Sequence, residues 1–169
     1  KVWVVNDTLE VYEDEIELAV YQTNGEKVFS KVWMVSVEPN LSKQVSVVLE
    51  QEALCGLNPE GAVMVITSKN DSVEENFYYF RDQKDVEFEG AEITVSVDHE
   101  NHELILSTNV LARMVTIEME MEQLVLEDNF FDLLPNRKRR IKVHQAEGKP
   151  IPWDTLRVKA INSVKTMGL

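Results

Sequence analysis

A chain of 169 residues, 44% hydrophobic and 28% charged, has the make-up of a folded globular protein rather than a disordered tail, and its length holds one large domain or two of roughly 80 to 90 residues. The formal net charge of −13 argues against a nucleic-acid partner, because a phosphate backbone repels such a surface. The single cysteine, Cys55, can form neither an internal disulfide nor a zinc site, and no apolar run approaches the ~20 residues that span a bilayer, so no membrane partner is expected.

Strand-like alternation begins at once, in "KVWVVN". The chain opens with Lys1 rather than Met and carries no signal-peptide pattern, so an excised piece of a longer protein is expected, without evidence on targeting. "EIELAVYQ" (15–22) sets Ile16, Leu18 and Val20 on one face and charges on the other. The dipeptide Asn24-Gly25 signals a hairpin into the long strand "VFSKVWMVSV" (28–37). After the Glu38-Pro39-Asn40 loop come "KQVSVVLE" (43–50), "AVMVITS" (62–68) and "NFYYF" (76–80). Between them "LEQEALCGL" (49–57) is long enough for a helical turn, and Asn58-Pro59-Glu60-Gly61 marks a loop. The second half continues with "AEITVSV", "HELILST", "MVTIEMEME", "RRIKVHQ" and "DTLRVKAIN", with a Gly148-Lys149-Pro150 loop before the last. In "TIEMEME", Ile117, Met119 and Met121 alternate with Glu118, Glu120 and Glu122.

Many short strands with frequent turn signals predict an all-β fold, and the polar stretch "FRDQKDVEFEG" (80–90) divides it. The expectation is two tandem immunoglobulin-like β-sandwiches, residues 1–84 and 85–169, each of the size of that fold. Charge is uneven between them: residues 1–85 carry a net −9 and the rest −4. A weak internal repeat agrees. Pro39-Asn40 precedes Val45 and Val47 as Pro135-Asn136 precedes Ile141 and Val143, so both pairs are expected to point inward after a turn that Asn tolerates.

The chemistry of catalysis is hard to find. The sequence has no nucleophile elbow, no phosphate-binding glycine loop and no His-x-x-x-His or Cys-x-x-Cys pair. His99 and His102, with Asp98, Glu100 and Glu103, could ligate a surface metal, but the cluster reads as a hairpin tip between "ITVSV" and "LILST". His144 reads as structural and Cys55 as a small buried hydrophobe. Carboxylates number 30, so no single pair stands out as the two that flank a sugar in a glycosidase. Trp3, Trp33, Trp153, Tyr78 and Tyr79 are candidates for a sugar-stacking platform, set against core or inter-domain packing. Asn6, Asn40 and Asn70 head N-glycosylation patterns, meaningful in a secreted eukaryotic chain. No catalytic, cofactor-binding or metal-binding residue is assigned, and no cofactor.

One stretch stands out: "EDNFFDLLPNRKRR" (127–140), acidic at its head, apolar in the middle and closed by four cations. Phe130, Leu133 and Leu134 are candidates to bury in the core or at a sandwich edge, with Phe130 or Phe131 and one of Leu133 and Leu134 expected inside. Two adjacent phenylalanines cannot both point inward from a regular strand, so either the backbone bends here or one ring packs against the neighbouring domain. Asp128, Asn129 and Asp132 can satisfy turn backbone groups. The cations, Arg139 among them, are expected to face water or the acidic first half rather than to form a nuclear address or heparin patch.

The block "DNFFDLLPNRKRRIKV" (128–143) resembles the Asp-Asn-aromatic-Phe-Asp-Leu-Leu-Pro-Gly element near the C-terminus of β-mannosidases of glycoside hydrolase family 2 and of related exo-β-glucosaminidases. "VWVVNDTLEVYEDEIELAVYQTNGEKVFS" (2–30) is similar to the strands that follow the catalytic barrel there, and "LILSTNVLARMVTIE" (104–118) to a second accessory sandwich. Asn136 stands where that family usually has Gly, a position whose turn Asn can still adopt. The resemblance implies a retaining exo-glycosidase whose catalytic glutamates lie in a (β/α)₈ barrel, so no position here inherits them. It implies a non-catalytic accessory region of a β-mannosidase-like enzyme, whose partner is the barrel of the same parent chain, in a periplasmic, secreted or lysosomal setting. Two other readings remain open: an independent carbohydrate-binding module in direct contact with polysaccharide, and an adhesin-type β-sandwich.

Overall fold

The computed structural model describes residues 1–70, 73–120, 125–135, 137–144, 150–164 and, as backbone, 167–168. The chain divides into two compact units, Lys1–Glu87 and Phe88–Leu169.

In the first unit the strands are β1 (Val2–Asn6), β2 (Tyr12–Gln22), β3 (Lys27–Val37) and β4 (Leu41–Ser46), then the single helical turn α1 (Glu50–Leu54), β5 (Ala62–Ser68) and β6 (Asn76–Tyr79). β1 and β4 form a two-stranded antiparallel sheet, and the other four lie in the order β3-β2-β5-β6. The alternation of β2 explains the core: Ile16, Leu18 and Val20 are buried with Val35 of β3, and Val2 of β1, Ala53 and Leu54 of α1 and Phe80 complete the cluster. At the Asn24-Gly25 hairpin Gly25 takes φ +91°, which a side chain would resist, and its N–H donates to the Gln22 carbonyl at 2.8 Å. Helix α1 stops because Cys55 and Gly56 both turn left-handed, at φ +51° and +86°.

In the second unit the strands are β7 (Ile93–Asp98), β8 (Glu103–Thr108), β9 (Ala112–Glu118), β10 (Val125–Leu126), β11 (Phe131–Leu133), β12 (Arg139–His144), β13 (Arg157–Lys159) and β14 (Met167–Gly168). They make two four-stranded sheets, β10-β12-β8-β7 and β11-β9-β13-β14. Leu104, Leu106, Ile141 and Val143 of the first pack in one cluster with Val115, Ile117, Phe131 and Val158 of the second. The all-β, immunoglobulin-like expectation is met: two sheets face each other across an apolar core, with almost no helix.

Three local expectations need correcting. Strand β4 ends at Ser46, short of the predicted Glu50, because the chain must leave the sheet to enter α1; Val45 stays partly buried but Val47 is 51% exposed. The Pro-Asn repeat therefore holds for Val45, Ile141 and Val143 and fails at Val47. Asn40 does take φ +54°, whereas Asn136 lies outside the described residues, as does the Gly148-Lys149 part of the last loop. "DTLRVKAIN" yields only the three-residue β13, preceded by a 3₁₀ turn at Trp153–Thr155. Met119 packs partly buried on the core and Glu118 and Glu120 are exposed; Met121 and Glu122 are outside the described residues.

Candidate functional site

The 127–135 stretch is a structural corner. Phe130 has φ +66° and is 59% exposed, while Phe131 enters β11 opposite Val115 and is buried. The sequence left open which of Phe130 and Phe131 is inside. The bend resolves the pair in favour of Phe131, since the left-handed residue before the strand throws its own ring outward. Leu133 and Leu134 are both buried, which a regular strand forbids; β11 ends at Leu133, and its register with β9 is irregular.

Polar side chains hold this corner. The Asn129 amide pairs with Ile117 in both directions, accepting from its N–H at 2.8 Å and donating to its carbonyl at 3.0 Å, like an added rung of the sheet. Asp132, with its side chain only 3% exposed, accepts the Met114 N–H at 2.8 Å and faces the Arg113 guanidinium at 2.6 Å. Arg139 is not a solvated cation: it pairs with Asp128 and its guanidinium lies 4.4 Å from the Phe131 ring centroid. Arg140 pairs with Glu103 at 3.0 Å.

The first unit has its own polar anchors. Asn6 is 3% exposed; its amide donates to the carbonyls of Glu10 at 2.8 Å and Val37 at 2.9 Å, and its oxygen accepts from Thr8. It ties the end of β1 to the end of β3, so the glycosylation pattern there is spent on the fold. Asp14 accepts the Tyr12 hydroxyl at 2.6 Å, the Glu15 N–H at 2.7 Å and the Asn70 N–H at 3.2 Å. Burial works to raise the Asp14 carboxyl, but these bonds together hold it below its ordinary value. Tyr12 is pushed up to about 12, first by burial and then by its bond to the Asp14 carboxylate.

Beside these anchors the first unit opens into a groove of about 710 Å³. Val4 of β1, Ile16 of β2 and Ile66 of β5 line its apolar depth; Trp3, 53% exposed, and the polar Asp7, Glu74 and Asn76 line it too. Sequence reasoning singled out Trp3 but not the groove, because nothing local shows that β1 pairs with β4 and leaves its other edge apart from β5 and β6.

The remaining candidates scatter. Trp33 packs partly buried on the first core and Trp153 on the second, where its ring meets His99 edge-on at 5.7 Å. Tyr78 is 55% exposed and edge-on to Phe80. His99 and His102 do sit at the β7–β8 hairpin tip, where the carboxylate of Asp98 is committed to Glu100 and Asn101. Among the described residues no three His, Cys, Asp or Glu side chains are grouped to hold a metal ion. Cys55, expected buried, is exposed, because the left-handed cap of α1 turns it outward. His144, at the end of β12, is exposed as well.

Comparison with known proteins places both units. The model of the mannosidase Ig/CBM-like domain matches residues 1–85, and that of an Ig-fold domain of mannosidases matches residues 86–164. Among solved structures, a β-D-mannosidase from Dictyoglomus thermophilum superposes with a TM-score of 0.76 at 22% identity over 98% of this chain. The exo-chitosanase CsxA from Amycolatopsis orientalis does so with 0.61 at 14% identity over 99%. The chain spans only 20% and 25% of those two proteins. No curated protein sequence matches it. The chain belongs to the mannosidase Ig/CBM-like domain family through its first unit and continues into the Ig-fold domain of mannosidases in its second.

Proposed function

We propose that the chain is the non-catalytic C-terminal accessory region of a β-mannosidase-like exo-glycosidase, packing on a catalytic barrel and stabilising it. The observation that carries this reading is the match of both units, in tandem, to mannosidase immunoglobulin-like domains. The likeness to the Dictyoglomus β-D-mannosidase spans this whole chain and a fifth of that one. Glycoside hydrolysis needs two carboxyl groups about 5 to 10 Å apart across a sugar, and the resemblance implies that both belong to a catalytic barrel. A (β/α)₈ barrel takes roughly 250 residues, so such chemistry would belong to another part of the parent chain.

The test is direct. Incubated with a chromogenic β-mannoside, the purified chain releases no chromophore above blank. Turnover that co-purifies with the chain and disappears in Asp7→Asn or Glu74→Gln would sink the reading and put the chemistry in the groove.

A further inference from the structure

We propose that the free edge of β3 is a self-association surface, on which β3 of a second copy of this chain pairs antiparallel about a two-fold axis at Val32. This goes beyond the accessory role and does not depend on it.

The first argument is the edge itself. β3 ends the sheet β3-β2-β5-β6 and has 11 residues, whereas the other edge strands among the described residues have between 2 and 6. Edges are ordinarily guarded by brevity, proline or lysine. β3 contains no proline, and both its lysines are drawn aside, Lys27 to Glu17 and Lys31 to Glu52.

The second argument is which groups face outward. The Glu15 carbonyl accepts the Lys69 N–H at 3.0 Å, on the β5 side of β2. Backbone groups alternate sides along a strand, so Ile16 turns its own toward β3, and Trp33, its partner there, bonds back to β2. Ser30, Val32 and Met34 therefore aim N–H and C=O at the open edge. Their side chains lie on the face away from the Ile16, Leu18 and Val20 core, where Val32 is 52% and Met34 77% exposed. An open backbone ladder and an apolar stripe coincide.

The third argument is the partner. A two-fold axis at Val32 sets outward-facing backbone against outward-facing backbone: Val32 meets Val32 of the second copy, and Met34 meets Ser30. Each Met34 then lies diagonal to Val32 of the second copy, within reach of it across the outer face. On the inner face Lys31 comes opposite the Trp33 ring. Charge agrees. β3 brings two lysines and no carboxylate to a sheet face where Glu13, Glu15 and Glu17 of β2 stand beside it, and an acidic strand would be repelled there. A neutral strand of unrelated sequence is the competing occupant.

Sedimentation equilibrium of the whole chain up to about 1 mM is the first test, run under reducing agent because Cys55 is exposed. The expected result is a reversible monomer–dimer equilibrium, weakened about tenfold or more in Val32→Lys, which sets two cations face to face, and also in Met34→Lys. Ile161→Lys, at an exposed apolar position of the second unit, should leave it unchanged. Register is read by cross-linking in a Cys55→Ser background. Val32→Cys places the two Cα atoms about 5.5 Å apart on the axis, within disulfide reach, and should cross-link on oxidation. Met34→Cys stands off the axis and should not. A peptide of residues 27–37 should compete with the dimer, and its scrambled form should not. Monomer at every concentration, undiminished association in Val32→Lys, equal cross-linking from positions 32 and 34, or competition by the scrambled peptide would each overturn the proposal.

Discussion

The two units solve one problem with different amounts of material. The second closes two four-stranded sheets over an apolar cluster that runs from Ala91 to Ala160 and includes Leu104, Leu106, Val115 and Ile141. The first sets a two-stranded sheet against a four-stranded one, and its core draws on partly buried residues such as Val4, Tyr12, Trp33 and Ile66. The groove of this unit is lined from β1, β2, β5 and β6. A sandwich need not be complete to be stable, provided polar anchors hold the short sheet in place. What the first unit lacks in sheet it recovers through Asn6, Asp14 and Tyr12. The second unit uses its polar anchors, Asn129, Asp132 and Arg139, to fix a bent corner over a core that is already closed.

The comparison is broken most forcefully at the corner. Phe131→Ala empties a packed site in the closed core and should cost about 3–5 kcal/mol in denaturant unfolding. Phe130→Ala, removing a ring that is 59% exposed, should stay within about 0.5 kcal/mol. Equal effects from the two would mean that the corner is not organised as described.

Next come the anchors themselves. Asp132→Asn leaves the Arg113 charge partly buried without its carboxylate and should cost about 3 kcal/mol. Asn6→Ala removes the amide that donates to the Val37 carbonyl in a buried bond and should cost about 2 kcal/mol. Chemical denaturation of both variants would test whether the neutral anchor of the open unit is the milder of the two to lose.

Arg139→Ala removes an ion pair with Asp128 that is about a quarter exposed and a cation over the Phe131 ring, so about 1 kcal/mol is expected, reduced at high salt. A change indistinguishable from zero would return Arg139 to the status of a solvated cation.

The smallest effect is in pH dependence, and it belongs to the first unit. Tyr12 has its folded pKa raised to about 12, so its contribution is fully present below its ordinary value near ~10 and is lost as pH rises through about 12. Asp14 is held below its ordinary value near ~3.9, so its contribution is present above that value and is lost as pH falls through the lower, folded one. Tyr12→Phe removes the hydroxyl from one end and a hydrogen bond from the other, so melting curves against pH should flatten on both limbs. A profile identical to that of the unaltered chain would mean that the pair is not linked to folding.

Period-two alternation was enough to place most strands and to show which face of β2 is buried, because alternation is a property of each strand alone. The family resemblance carried by residues 128–143 was equally local, and the same block proved to be a structural corner. The sequence could not settle which of two adjacent phenylalanines is inside. That rests on Phe130 turning left-handed and on Phe131 meeting Val115, a partner 16 residues back in the chain. Nor could it tell that Asn6 is an anchor rather than a glycosylation site, since the Val37 carbonyl that occupies its amide lies 31 residues away. Arg139 looked like one of four solvated cations until the fold brought Asp128 and Phe131 to it. The groove is the clearest case. Val4, Ile16, Ile66, Glu74 and Asn76 come from separate strands and a loop, and the tertiary arrangement makes them neighbours. The sequence by itself determined the strands and their faces, because those depend on near neighbours in the chain. Partners, corners and clefts depend on which edges find each other across long loops, and only the tertiary structure decided those.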